Sequence, residues 1–353
     1  VTPDLEIAVQ LRGEASSAAA RALILATGAR ERFLPFPGWT LPNVMGIGGA
    51  QALLKAGASF TGLRVVIAGS GPLLLPVAAT LARDGARLAL VAEQAPTAQV
   101  LRFSATLWRF PGKIIQAAGY RSRFPGVRYA WNTWVVSASG DDRVREVTLT
   151  DGRRTWTERC DVLCTGYGLV PSAELARLLG CAVESGRVVT DTWQRTSLEC
   201  IYCAGEPTGI AGVEAALVEG EIAGLAVCGR EGEAATRFGV RDRYHRFSRQ
   251  LEAAFAPRDE LRSLLNDDTV VCRCEDVTYR CLRPEWSTRQ AKLYTRAGMG
   301  PCQGRVCGPA VEYLFGWPLD TVRVPVEPAT VNTLVNTVVS SGGSSSEHGH
   351  GET

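Results

Sequence analysis

The chain has 353 residues, of which 46% are hydrophobic and 21% are charged, so we predict a soluble protein of two or three globular domains. The 38 basic and 36 acidic residues leave a net charge of +2 without a long run of one sign. This balance argues against nucleic acid or a membrane surface as the main partner. We find no apolar segment of membrane-spanning length and no signal-peptide layout, which predicts a cytoplasmic protein.

The first recognisable element is an apolar strand at residues 22–25, which runs into the small-residue turn Ala26, Thr27 and Gly28. An α/β domain that ends in such a strand needs earlier strands as partners. The 20 residues upstream do not resemble a strand, a glycine turn and a helix. We therefore expect the chain to begin partway through its first domain.

Residues 62–94 predict a compact βαβ unit. The apolar run at residues 65–68 is typical of a buried parallel strand, a helix is expected over residues 72–83, and a second strand over residues 87–92. The later segments predict a meander of short strands at residues 127–150. Two further strands are expected, one ending at Thr165 and Gly166 and one followed by a glycine-rich turn and a helix from about Gly212.

The βαβ unit carries the glycine turn GSGPLLLP at residues 69–76. In this context such a turn places a nucleotide diphosphate on the helix N-terminus, and the acidic residue after the next strand, Glu93, binds a ribose hydroxyl. Gly69 and Gly71 fit this pattern, whereas Leu74 stands where a third glycine is usual. A plain βαβ crossover without a ligand therefore stays open beside a site for NAD(P) or another adenine nucleotide.

Five of the 11 cysteines lie close together near the C-terminal end. Cys272 and Cys274 form one pair and Cys302 and Cys307 a second, and four thiolates suit either zinc or an iron–sulfur cluster. The Cys-x-Cys spacing is less usual for zinc, so iron–sulfur is favoured, and Cys281 is left out of the ligand set. We expect the other six cysteines to pack in the core; they are Cys160, Cys164, Cys181, Cys200, Cys203 and Cys228.

The order of the motifs ILATGARERFLPFPGW, GSGPLLLP, VLCTGYGLVPS and YCAGEPTGIAGVEAALVEGEIAG resembles the two-dinucleotide-domain flavoprotein family. This resemblance implies that Ala26, Thr27 and Gly28 line an FAD site. It also implies that Gly205 and Glu206 match the late Gly-Asp motif, with Glu206 in place of Asp. The first glycine fingerprint, which holds the FAD pyrophosphate, is missing from this sequence. We expect either a fragment lacking about a hundred N-terminal residues or a loss of FAD binding.

The segments CRCEDVT and TRAGMGPCQGRVCGP resemble the [2Fe-2S] domain related to bacterioferritin-associated ferredoxin. That domain occurs at the C-terminus of the flavoprotein α subunits of opine oxidases, hydrogen cyanide synthase and hydroxyproline (imino acid) dehydrogenases. The resemblance implies that Cys272, Cys274, Cys302 and Cys307 hold a [2Fe-2S] cluster. The loop between the two cysteine pairs is a few residues shorter than is common in that domain.

The expected fold is α/β, with a Rossmann-like nucleotide-binding domain inserted in an incomplete FAD-binding domain and a small α-helical [2Fe-2S] domain. The expected segments are a remnant of the FAD-binding domain (1–60), the inserted NAD(P)-type domain (61–155), the C-terminal part of the FAD-binding domain (156–230), a helical connector (231–265), the BFD-like [2Fe-2S] domain (266–320), a Pro-rich extension (321–338) and a disordered tail (339–353).

The family resemblance implies an electron-transfer flavoprotein subunit of a multi-subunit dehydrogenase that acts on amines or imino acids, and that relays electrons toward a respiratory acceptor. Its implied partners are a small ferredoxin-like subunit together with a second, flavin-containing oxidase-like subunit. The sequence has three histidines and offers no convincing general base, so no catalytic residue is assigned. A self-contained NAD(P)H-dependent reductase and a degenerate zinc-binding fragment stay open, as does peripheral attachment to the inner membrane.

Overall fold

The computed structural model describes residues 6–11, 14–318, 322–332 and 334–335. The chain divides into two compact units. The first comprises the described residues of Val1–Gly28, Pro171–Tyr244 and Thr321–Thr353, and the second comprises Ala29–Val170 and the described residues of His245–Asp320. The expected tail at 339–353 lies outside the described residues. No helix in the described ranges is both long enough and apolar enough to cross a membrane.

The strands in chain order are β1 (Glu6–Leu11), β2 (Glu14–Ala19), β3 (Leu23–Leu25), β4 (Ala29–Glu31), β5 (Val44–Gly46), β6 (Arg64–Gly69), β7 (Arg87–Glu93), β8 (Arg128–Ala130), β9 (Trp134–Ser139), β10 (Glu146–Thr150), β11 (Thr155–Arg159), β12 (Val162–Gly166), β13 (Leu169–Pro171), β14 (Val183–Glu184), β15 (Arg187–Val188), β16 (Ile201–Cys203), β17 (Val270–Cys272) and β18 (Val277–Thr278). The α-helices are α1 (Ile47–Lys55), α2 (Leu74–Arg83), α3 (Thr97–Ser104), α4 (Pro111–Arg121), α5 (Glu174–Leu179), α6 (Val213–Val227), α7 (Glu231–Ala235), α8 (Phe238–Ala254), α9 (Thr288–Thr295) and α10 (Cys307–Phe315). Short 3₁₀ helices lie at Leu107–Arg109, Asp259–Ser263 and Tyr279–Cys281.

The second unit is built on a five-stranded sheet with the strand order β5-β12-β6-β7-β8. Its strands pair in parallel, as predicted from the apolar runs. Val65 and Ile67 face one core cluster, whereas Val66 and Ala68 face the other. Because successive side chains of a strand point to opposite faces, β6 is buried on both sides and reads as a continuous apolar run.

The second unit also contains an antiparallel sheet and a small C-terminal core. The strands β9–β11 form an antiparallel three-stranded sheet. Of the short strands expected at residues 127–150, β9 and β10 belong to this sheet, whereas β8 pairs in parallel with β7. The C-terminal part of the unit has its own small core, in which Val271, Leu282, Val311 and Trp317 are buried together with two of the cysteines. A core of this size gains stability from a bound metal group in many small domains.

The first unit contains the parallel pair β3–β16 and the antiparallel hairpin β1–β2. Strands do form in the first 20 residues, but they pair with each other, and the partner of β3 is β16. The unit boundary falls between Gly28 and Ala29, earlier than the expected segment boundary at residue 60. The reason is that β5 pairs in parallel with β12 and so joins the five-stranded sheet.

The cysteines outside the C-terminal cluster are only partly core residues. Cys160, Cys164, Cys181 and Cys203 are buried, but Cys200 and Cys228 are exposed. The prediction was wrong for these two because Cys200 precedes β16 with a φ of 59° and Cys228 follows the end of α6. Both therefore lie outside the elements whose apolar faces form the core.

Candidate redox centre and cofactor turns

The two cysteine pairs of the C-terminal cluster lie on two loops that the small domain brings together. Cys272 ends β17, and Cys274 follows in the turn toward β18. Cys307 is the first residue of α10, where the helix N-terminus favours a negative charge on sulfur. Cys302 lies in the loop before it. Cys281 is exposed at the end of a 3₁₀ helix, with its sulfur 3.4 Å from the Thr278 hydroxyl oxygen.

The four sulfurs form two neighbouring pairs. A hydrogen bond with Cys307 lowers the pKa of Cys272 to about 6, and the same bond raises the pKa of Cys307. Cys274 and Cys302 form the second hydrogen-bonded pair, and Cys274 also interacts electrostatically with Cys272. The structure thus brings together the four cysteines that the sequence singled out.

The pairwise arrangement bears on the two metal groups that the spacing left open. A structural zinc ion needs four ligands around a single point. A [2Fe-2S] cluster instead spreads its four cysteines over two irons. Two hydrogen-bonded pairs of cysteines, Cys272 with Cys307 and Cys274 with Cys302, provide a donor set that fits a [2Fe-2S] cluster.

Glycines form the cradle around these sulfurs. The Gly298 amide donates a hydrogen bond to the Cys272 sulfur at 3.4 Å. A Cβ placed on Gly300 would lie 2.3 Å from the Cys274 Cβ, so only glycine fits there. Backbone amides aimed at the sulfurs are one of the means by which a protein sets the potential of such a cluster. Gly298 and Gly300 of TRAGMGPCQGRVCG are therefore part of the site.

Three side chains of the second unit hold the two cysteine loops. The Trp39 indole N–H donates to the Val270 carbonyl oxygen at 2.6 Å, and the Arg273 guanidinium lies 5.4 Å from the Trp39 ring centroid. Arg30 Nε donates to the Arg305 carbonyl oxygen at 3.1 Å. Both loops are thus fixed by direct contacts, and no sequence pattern pointed to Trp39 or Arg30.

The residues expected to line a flavin lie together in the first unit. The strands β3 and β16 pair in parallel, so that their carboxyl ends meet at one edge. Ala26 and Thr27 lie after β3, and the Thr27 hydroxyl donates to the Ser172 carbonyl oxygen at 2.5 Å. Gly205 and Glu206 follow β16, and burial raises the pKa of the half-buried Glu206. The helix α6 begins directly after Gly212, as predicted.

A buried glutamate that we did not single out holds the second of these turns. Glu219 Oε2 accepts hydrogen bonds from the Gly205 amide at 2.7 Å and from the Thr208 hydroxyl at 2.8 Å. Its side chain is buried on α6. The available signal was the presence of two acidic residues, Glu219 and Glu221, in the otherwise apolar helix sequence AALVEGEIAGLAV.

The glycine turn after β6 is held in a similar way. Glu93 is fully buried, and its two carboxylate oxygens accept the amides of Gly71 at 2.7 Å and of Ala95 at 2.8 Å. Burial raises the pKa of Glu93 to about 7. The structure brings Gly69, Gly71 and Glu93 together, but it directs the carboxylate toward backbone amides inside the protein.

A third glutamate makes the same kind of contact. Glu31 Oε1 accepts the Gly48 amide at 2.6 Å and Oε2 accepts the Gly49 amide at 3.1 Å, at the N-terminus of α1. The sequence GIGG at residues 46–49 is therefore a junction between β5 and α1, and the first amides of the helix are bonded to an internal carboxylate.

Two family models match the chain. The model described as pyridine nucleotide-disulphide oxidoreductase matches residues 3–221, and the model described as BFD-like [2Fe-2S] binding domain matches residues 270–317. The second match contains all four paired cysteines.

Among curated proteins, the chain is similar to the hydrogen cyanide synthase subunit HcnB of Pseudomonas aeruginosa, with 36% identity over 330 residues, covering 81% of this chain and 68% of that protein. It is also 33% identical over 369 residues to an opine oxidase subunit of Rhizobium meliloti, covering 93% of this chain and 68% of the relative. Among solved structures, L-proline dehydrogenase from P. horikoshii aligns with a TM-score of 0.59 at 19% identity, over 93% of this chain and 61% of that one. This last likeness supports the fold.

Proposed function

The chain belongs to the pyridine nucleotide-disulphide oxidoreductase family, as an FAD-dependent oxidoreductase with a BFD-like [2Fe-2S] domain, and from this premise we propose that it is the electron-transferring subunit of a multi-subunit dehydrogenase of amines or imino acids. Electrons would pass between a flavin and the cluster toward a respiratory acceptor. The observation that carries the proposal is the convergence of four cysteines in two pairs within a chain of this family.

In this proposal Cys272, Cys274, Cys302 and Cys307 hold the two irons. The bound cluster supplies one-electron transfer, which a relay needs between two-electron flavin chemistry and a one-electron acceptor. The protein's own part is to fix the four sulfurs and to direct the Gly298 amide at Cys272. Both contributions are preorganised, because the glycine cradle and the contacts of Trp39 and Arg30 are already in place.

The flavin would bind at the edge formed by Ala26, Thr27 and Gly28 with Gly205 and Glu206. Glu206 offers a carboxylate for hydroxyl groups of the cofactor, and the N-terminus of α6 favours negative charge in front of it. Glu219 keeps the turn of Gly205 in shape. Gly69, Gly71 and Glu93 are the residues that the sequence predicts for an adenine nucleotide.

The proposed partners are a second, flavin-containing oxidase-like subunit, where the substrate is oxidised, and a small ferredoxin-like subunit. Support comes from the two relatives, which are named as subunits of hydrogen cyanide synthase and of opine oxidase. A cytoplasmic location belongs to the same proposal.

The cluster is tested on protein purified without oxygen. We expect about two irons per chain, visible absorption, and an electron paramagnetic resonance signal after dithionite reduction. Cys302→Ser should abolish the signal, whereas the matched variant Cys281→Ser should keep it. Colourless protein with one zinc per chain would refute the cluster assignment.

The relay is tested on the same two variants after FAD loading. Flavin reduction by light should proceed equally in both, because neither cysteine is predicted near the flavin. Transfer from reduced flavin to a one-electron acceptor such as cytochrome c should be lost in Cys302→Ser only. Equal transfer in both variants would contradict the relay while leaving the cluster assignment intact.

A further inference from the structure

The glycine turn after β6 is covered by the segment Phe255–Arg258, which we call the connector segment because it joins α8 to the small domain. Two side chains of the turn region bond its backbone. Ser70 Oγ donates to the Phe255 carbonyl oxygen at 2.6 Å, and Gln94 Nε2 donates to the Ala256 carbonyl oxygen at 2.9 Å. Gln94 Oε1 accepts the Arg258 amide at 3.1 Å. The connector segment is thus bound through three backbone groups, as a peptide ligand would be.

The connector segment lies in van der Waals contact with the glycine turn, since a Cβ placed on Gly71 would lie 3.6 Å from the Phe255 Cβ and Cγ. The second glycine of such a turn is small so that a pyrophosphate can approach the backbone. Here the Phe255 ring lies beside this glycine, and it packs edge-on against Phe103 at 5.3 Å between centroids.

The amides that would bind a phosphate are already bonded inside the protein. The Ser70 amide donates to the Gly166 carbonyl oxygen at 2.7 Å, and the Gly71 amide donates to Glu93. Anions bind such turns through these amide groups. An entering phosphate would have to displace a carboxylate and a phenyl ring at the same time.

The last residue of the connector segment links the turn to the metal-binding helix. The Arg258 guanidinium lies 3.5 Å from the Trp134 ring centroid and donates to the Asn132 side-chain oxygen at 3.1 Å and to the Gln94 carbonyl oxygen at 3.2 Å. The Arg258 carbonyl oxygen accepts a hydrogen bond from the Tyr313 hydroxyl. Tyr313 lies on α10, the helix that begins at Cys307.

We propose that the connector segment is the permanent occupant of this nucleotide-type cleft, and that the cleft holds the [2Fe-2S] domain in place instead of binding NAD(P) or another adenine nucleotide. Arg258 is then a positioning residue for α10. All of these contacts lie within the second unit, so they do not depend on which residues hold the flavin. A nicotinamide cofactor therefore does not bind at Gly69–Gly71, and the chain does not receive hydride there.

The first test is a calorimetric titration of the cofactor-loaded full chain with ADP and with NADH at millimolar concentration. We expect no saturable heat with either compound, and no change in amide hydrogen exchange over residues 69–71. Saturable binding that slows exchange at residues 69–71 would overturn the proposal.

The second test measures amide hydrogen exchange over residues 307–315. Arg258→Ala keeps the backbone carbonyl that accepts from Tyr313 but removes the guanidinium contacts with Gln94, Asn132 and Trp134 that hold this backbone in place. It should therefore loosen the contact with α10 and speed exchange there by about tenfold. The control Arg123→Ala removes an exposed arginine of the same unit and should leave this exchange unchanged. Tyr313→Phe deletes only the hydroxyl and should speed the same exchange by a smaller factor, so the test survives if Arg258→Ala does not fold. Unchanged exchange at residues 307–315 in Tyr313→Phe would refute the positioning role.

Discussion

The buried carboxylate of Glu93 predicts a pH dependence of stability that one substitution removes. Its pKa is about 7 in the folded protein against an ordinary value of 4.5. The difference, 7 − 4.5 = 2.5 units, corresponds to about 3 kcal/mol at 1.36 kcal/mol per unit. Because the folded-state pKa is the higher one, the folded protein binds the proton more tightly. The stability from this group is therefore fully present below about pH 4.5 and is lost as the pH rises to about 7.

Glu93→Gln replaces the carboxyl group with an amide, which does not titrate, and so removes this pH dependence. The glutamine oxygen can still accept one backbone amide, but its NH₂ group faces the second amide, so we expect a loss of about 1–3 kcal/mol from the broken hydrogen bond. The free energy of unfolding of the wild type, minus that of the variant, should fall by about 3 kcal/mol between about pH 5 and pH 8.

The measurement is urea unfolding followed by tryptophan fluorescence across this pH range. Glu285→Gln, which changes an exposed carboxylate of the same unit, is the matched control and should run parallel to the wild type. A Glu93→Gln curve that also runs parallel to the wild type would show that Glu93 is not the buried, proton-binding group inferred here.

Two further substitutions test the cradle and the flavin-side turn. Gly300→Ala places a Cβ 2.3 Å from the Cys274 Cβ and should lower the iron content more than twofold, whereas Gly119→Ala, in open space on a helix, should keep the iron and gain up to about 1 kcal/mol of stability. Full iron content in Gly300→Ala would contradict the cradle. Glu219→Ala leaves the Gly205 amide and the Thr208 hydroxyl without their buried acceptor, so urea unfolding should show a loss of about 2–4 kcal/mol and fluorescence titration a weaker affinity for FAD. An unchanged unfolding midpoint would mean that water replaces the carboxylate.

Local patterns predicted much of the second unit. The apolar run before GSGPLLLP is β6, and the following helix and strand are α2 and β7, each within two residues of the prediction. These elements were predictable because a strand buried on both faces must be apolar throughout. The two cysteine pairs were also predictable, since ligand spacing is a local property. The family matches confirm the α/β fold class and the [2Fe-2S] domain.

Contacts between distant parts of the chain were not predictable. Nothing in the sequence around Phe255 indicates that it covers Gly71, which lies more than 180 residues earlier. The role of Glu219 was hidden for the same reason, because its partners are brought near only when α6 packs beside the turn. Glu93 fitted the ribose pattern by position alone, and that assignment stays a prediction beside the internal contacts it makes.

The three internal carboxylates have a consequence for how the protein matures in the cell. Glu31, Glu93 and Glu219 each accept a hydrogen bond from a backbone amide of a glycine-containing segment. These segments are therefore held by carboxyl groups of the protein itself and can reach their final shape during synthesis, before any flavin is delivered. We expect that cells starved of riboflavin accumulate a folded, protease-resistant chain, which binds flavin on later supply without new protein synthesis.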